Sequence, residues 1–95
     1  MPDSKGNLTI AEALGRAVSL LQAARPAEAA ALCRAILDVA PSEFDALNLL
    51  GTALTHLGRH DEAVKAYRKA LATRQDIPEA HFNLGVALKG LGENK

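Results

Sequence analysis

Residues 45–71 read DALNLLGTALTHLGRHDEAVKAYRKAL, and parts of this stretch return on both sides at a single offset of 34 residues. Going forward, Ala46, Leu50, Gly51, Ala53, Leu54, Leu57 and Gly58 reappear as Ala80, Leu84, Gly85, Ala87, Leu88, Leu91 and Gly92. Going backward, Arg59, Glu62, Ala63, Arg68 and Leu71 reappear as Arg25, Glu28, Ala29, Arg34 and Leu37. A fixed period of this length describes supersecondary units stacked on one another, not one closed core.

Each unit reads as a pair of helices. Leu47, Leu50, Gly51, Leu54 and Leu57 share one helical face. Gly58 follows where a left-handed residue ends a helix. A second run carries Ala63, Val64, Tyr67, Ala70 and Leu71. Asp61 and Glu62 stand at its positive end, and Arg68, Lys69 and Arg74 toward its close. A short connection makes the two helices antiparallel. Small residues fall where they approach: Gly51 on the first, Ala63 and Ala70 on the second. A mid-helix glycine is unfavourable by about 1 kcal/mol relative to alanine. Close packing is therefore the expected reason for both Gly51 and Gly85. No strand precedes either one, which argues against a phosphate-cradling loop.

With these residues in place, the chain resembles the tetratricopeptide repeat family. Leu50, Gly51, Gly58, Ala63, Tyr67, Ala70 and Pro78 carry the resemblance, which extends from about Ile10 onward. The pattern departs at Leu47 and His81, where the family has a large aromatic, and at Gln75, where a proline is common. In the first unit, Arg16 replaces a leucine and Ala24 replaces the turn glycine. The resemblance implies an all-α solenoid of antiparallel helix hairpins.

Reading in order, residues 1–8 form a polar tail expected to lack order. The first repeat covers 9–41, the second 42–77, and 78–95 supply the first helix of a third. Thr9 and Glu12 make a capping box. Pro26 suits the first turn of helix two, and Pro41 stops that helix. Ser42 is the expected cap of helix three, with helix four over 61–74. Pro78 opens helix five, which should end near Leu91. Five helices result, two hairpins and one helix without a partner. That last helix, with Phe82 and Val86 on one side, makes a poor polar cap for an array. It suggests a fragment of a longer array, or self-association through this end.

Composition narrows the function. Eleven acidic and eleven basic residues balance, so no global field draws the chain to nucleic acid or an anionic membrane. Phe44, Tyr67 and Phe82 are the only aromatics, a poor set for base stacking. No apolar run approaches the ~20 residues of a membrane span. The start, MPDSKGN, lacks a secretion-signal pattern, so cytoplasmic residence is expected. Cys33 is the single cysteine. It falls one repeat before Tyr67, on an inward face, and reads as a structural thiol. His56 and His60 have metal-pair spacing, but Gly58 breaks the helix between them. Both read as surface residues around the turn, and no metal or other cofactor is expected. His81, at the family's aromatic position, reads as a partly buried imidazole. Lys65, Arg68, Lys69 and Arg74 form a solvated basic stripe, partly offset by Asp61 and Glu62. No nucleophile–base arrangement supports catalysis.

What remains is a surface. The face of each first helix turned away from its own second helix carries Asn48, Thr52 and Thr55 in the central repeat. In the last repeat it carries Phe82, Val86 and Lys89, with Glu79 and Asn83 beside them. The resemblance implies that such helices line a concave groove for extended peptides or partner helices. Asn83 has the family's place for an amide that holds peptide backbone as donor and acceptor; Leu49 stands there one repeat earlier. Leu14, Val18, Asn48 and Thr52 do not make the clamp used for a terminal carboxylate. The expected function is a non-enzymatic protein-interaction module. Two alternatives are the amino-terminal scaffold of a larger enzyme, such as a bacterial transferase, and a self-assembling repeat unit.

Overall fold

The computed structural model describes residues 8–93, with the side chain of Glu93 left aside. The expected disorder of the amino-terminal tail falls almost wholly outside them. The described residues form five helices and no strand: α1 (Ile10–Gln22), α2 (Pro26–Val39), α3 (Phe44–His56), α4 (His60–Thr73) and α5 (Pro78–Glu93).

Local sequence explains most of the boundaries. Thr9 Oγ1 accepts from the Glu12 amide, and the Glu12 carboxylate accepts from the Thr9 amide, each at 3.0 Å. Two of the four amides that a helix start leaves unpaired are closed this way. Pro26 is the first residue of α2. Gly58 has φ +77°, and its amide donates to Thr55 O at the end of α3. In the first hairpin Ala24 does the same job at φ 62°. There a Cβ makes the left-handed geometry unfavourable.

Three expectations need correction. Ser42 does not cap α3: Glu43 occupies the cap position and makes no side-chain cap bond. α4 begins and ends one residue earlier than the charge pattern suggested. α5 runs through Gly92 to Glu93, because that glycine sits in an ordinary helical turn and not in a left-handed one.

Two hairpins, α1–α2 and α3–α4, stack side by side, and α5 packs on α4. The main core draws from every helix. Ala17, Ala29, Cys33, Leu50, Leu54, Ala63, Tyr67 and Ala87 lie in it, all buried. A second cluster joins Phe44 and Leu47 to Ala70 and Ala80 across α3, α4 and α5. Alanine at these crossings lets helix axes approach while leucine fills the gaps, which is how an alanine–leucine composition reaches native density. Burial matches the repeat register, as Ala29 and Ala63 or Ala46 and Ala80 show.

Surface electrostatics contribute little to this stack. Glu62 joins the two hairpins by accepting from Arg34 at 3.2 Å while also pairing with Arg59 at 3.1 Å. Arg74 lies over the Phe44 ring, 5.2 Å from its centroid. Exposed pairs of this kind are worth about 0–1 kcal/mol.

Candidate functional site

The face of α3 that carries Asn48, Thr52 and Thr55 is organised from beneath by Tyr67. Its ring occupies the space above Gly51. Its hydroxyl lies 2.9 Å from Thr52 Oγ1, which itself donates to Asn48 O at 3.1 Å. Thr55 Oγ1 donates to Gly51 O at 2.8 Å. Burial raises the Tyr67 phenol above its ordinary pKa, and the hydroxyls of Thr52 and Thr55 oppose that shift. The Thr52 and Thr55 hydroxyls are thus engaged inside the fold, and the Thr52–Tyr67 bond ties the α3 face to α4.

Beside them opens a groove of about 370 Å³ shared by three helices. Leu14, Gly15 and Val18 of α1, Asp45, Asn48 and Leu49 of α3, and Glu79 of α5 line it. Its floor is aliphatic. Its only charged lining residues are two carboxylates, Asp45 and Glu79. The Asn48 side-chain oxygen is buried and accepts no hydrogen bond among the described residues.

Of the residues singled out in sequence, Asn48 and Glu79 meet in this groove. Thr52 and Thr55 lie on the same helix and bond internally. Phe82, Val86 and Lys89 are exposed on α5, Phe82 at 71 %, and Asn83 is half-buried there. None of these four lines the groove described above. The groove is also lined by Leu14, Gly15, Val18, Asp45 and Leu49, which were not singled out as site residues. The 34-residue register could have found them. Leu14 aligns with Asn48 and Phe82, Val18 with Thr52 and Val86, Gly15 with Leu49 and Asn83, and Asp45 with Glu79.

Other sequence candidates resolve differently. Cys33 is fully buried, and its thiol is pushed up to about 11 by desolvation, which Arg34 slightly opposes. This is the environment of a packed thiol and not of a nucleophile. His56 is exposed as expected, but His60 is not a free surface residue. Its ring lies against Gly90 of α5, with Nδ1 buried and without a hydrogen-bond partner among the described residues. His81 was expected to be partly buried and is exposed, its Nε2 2.8 Å from Gln75 O. Leu47, its counterpart, is buried because α4 covers it, and no described helix covers His81. Gly85 likewise fails the close-packing expectation: a Cβ there would meet nothing within 4 Å. Among the described residues no three His, Cys, Asp or Glu side chains come together as a metal site. No helix among them is long and apolar enough to cross a membrane.

A second, apolar cleft of about 230 Å³ lies at the other end of the array, between Ile10 and Ala13 of α1 and Leu32, Ile36 and Val39 of α2.

Antiparallel hairpins stacked in register define a class: an α-helical repeat scaffold. The tetratricopeptide repeat profile matches residues 14–76, and the chain belongs to that family. An uncharacterised protein of Sinorhizobium fredii, y4yS, is 36 % identical over 90 residues, covering 95 % of this chain and 48 % of that protein. The peroxisomal targeting signal receptor of Kluyveromyces lactis is 36 % identical over 59 residues, covering 62 % of this chain and 10 % of that one. The chain therefore spans about half the length of the first relative and about a tenth of the second. Among solved structures, a variant of MamA superposes with a TM-score of 0.80 at 24 % identity, covering 94 % of this chain and 65 % of that one. A second MamA structure gives 0.78 at 25 % identity, over 88 % and 46 %. These likenesses agree with the five-helix hairpin architecture and with a scaffold for protein–protein interaction.

Proposed function

We propose that this chain is a non-enzymatic interaction module whose concave groove takes an extended segment of a partner protein. The groove spanning α1, α3 and α5 carries this reading. Its aliphatic floor, from Leu14, Val18 and Leu49, offers a dry seat for an apolar side chain. Asp45 and Glu79 are its only charges, so the segment that fits carries a lysine or arginine beside that apolar residue. Asn48 lines the groove with an amide side chain, a group type that offers peptide backbone both donor and acceptor without regard to sequence. Thr52, Thr55, Phe82, Asn83, Val86 and Lys89 continue the surface along α3 and α5. A groove held rigid by Tyr67 and Gly51 needs little ordering on binding. One relative is by name a receptor for a targeting signal, which agrees with recognition of a protein segment.

Fluorescence anisotropy with short labelled peptides tests this. Peptides pairing leucine with arginine should bind, and Glu79→Lys should weaken them while favouring the matched peptide with glutamate in place of arginine. Asn48→Ala, Asn83→Ala and Phe82→Ala map the extent of the surface. Equal affinity of both peptides for the parent and for Glu79→Lys would remove the groove from consideration.

A further inference from the structure

A second groove, of about 310 Å³, runs between α2 and α4 with α3 beneath it. Arg34 and Leu37 stand on its α2 wall and Lys65 and Lys69 on its α4 wall, over a floor of α3 leucines that includes Leu47 and Leu50. At about 100° per residue, these leucines fall on the side of α3 opposite Asp45, Asn48 and Leu49. The groove is therefore separate from the one that α1, α3 and α5 share. Its walls belong to consecutive repeats, and repeats add at the ends of an array. Further helices at either end would leave it open. A neighbouring hollow of about 290 Å³ shares Leu47 and Lys69 with it and continues to Pro41, Ser42 and Thr73. Together the two follow α4 from Glu62 to Thr73, roughly 16 Å at the helical rise and about five residues of extended chain.

The charge of this channel is one-sided. Arg34, Lys65 and Lys69 line it against one carboxylate, Glu62, which Arg34 and Arg59 already hold. Lys65 and Lys69 are exposed and pair with no carboxylate among the described residues. Arg68 and Arg74, the rest of the basic stripe, line neither hollow. Lysines four apart on one helix stand about 5–6 Å apart at Cβ. That is close to the roughly 6.6 Å between side chains i and i+2 on one edge of an extended strand.

We infer that this channel takes an extended acidic segment of a partner protein, glutamate–leucine–glutamate in pattern. Its two carboxylates meet Lys65 and Lys69, and the leucine between them turns to Leu37 and Leu47. Complementary charge sets the choice of segment. Nucleic acid fits less well, because no aromatic side chain lines either hollow for a base to stack on.

The probe is a fluorescein-labelled Gly-Glu-Leu-Glu-Gly peptide, and its binding to the whole chain is followed by anisotropy. Replacing both glutamates by glutamine should weaken binding at least about tenfold. The double variant Lys65→Glu with Lys69→Glu should lose as much, and should instead take the matched peptide with lysine for glutamate. Both positions are exposed, so that variant keeps its helical circular dichroism and melting temperature. Arg16→Glu with Arg68→Glu changes the net charge equally at exposed sites outside the channel and should leave affinity unchanged. Absence of binding, equal affinity for the glutamine peptide, or an equal loss in the Arg16 and Arg68 variant overturns the inference. So does displacement of the peptide by a single-stranded oligonucleotide of equal charge. Sedimentation showing that the chain self-associates, and that the Lys65 and Lys69 variant dissociates it, also overturns it, since the channel then belongs to a second copy.

Discussion

The Tyr67 ring lies on the backbone of Gly51, so that even one added carbon at Gly51 would sit 2.5 Å from Tyr67 Cε1. Both residues are buried, and the ring cannot retreat without disturbing the Ala63 and Ala70 crossings around it. Gly51→Leu should therefore lose about 1–3 kcal/mol or more through overpacking. Gly85→Ala, at the same place in the next repeat, should gain roughly 0.5–1 kcal/mol from better helix propensity. Thermal melts of the two variants check this by the opposite signs of their shifts.

Tyr67 also contributes through its hydroxyl. Tyr67→Phe keeps the ring on Gly51 but removes the 2.9 Å bond to Thr52. The expected loss is about 0.5–1.5 kcal/mol, the usual net worth of such a bond. Tyr67→Ala empties the site and should lose roughly 3–5 kcal/mol. Denaturant titration separates the two, and equal losses would mean that the ring contributes nothing beyond its hydroxyl.

Ala24 holds φ 62° where the second hairpin has glycine. Ala24→Gly relieves an αL strain of about 1–2 kcal/mol and adds unfolded-state freedom of about 0.4–1 kcal/mol. A net gain of several tenths of a kcal/mol up to about 1 kcal/mol is expected. A lower melting temperature would show that the Ala24 methyl has a packing role.

Cys33 should resist alkylation in the native state at neutral pH and react once the chain unfolds. Its folded pKa, raised from 9.0 to about 11, sets the sign of a pH effect. Between those values the unfolded chain gives up the thiol proton and the folded chain keeps it. Stability is then full below about pH 9 and falls as pH rises toward 11. The raised Tyr67 phenol acts in the same direction. Cys33→Ala should flatten part of this alkaline decline, and an unchanged pH profile would assign it elsewhere.

Much of the fold was legible before any coordinates. The capping box at Thr9 and Glu12, the break at Gly58 and the start at Pro26 all depend on neighbours within a few residues. Gly51 was placed against Tyr67's helix because the short turn at Gly58 makes the two helices of one repeat antiparallel neighbours. The errors share a cause. His81 and Gly85 were read from their counterparts Leu47 and Gly51, as if α5 were covered as α3 is. Ser42 was chosen as a cap by residue type, and the backbone started the helix one step later.

The amino-acid sequence alone determined the period, the helix pairs and the hairpin turns, since apolar spacing and turn residues act over short range. Only the tertiary structure decided which equivalent positions are covered. Burial belongs to a position's neighbours in space, and identical glycines at 51 and 85 meet an aromatic ring in one case and solvent in the other. The meeting of Leu14, Asp45 and Glu79 in one groove was likewise decided by how three helices stack.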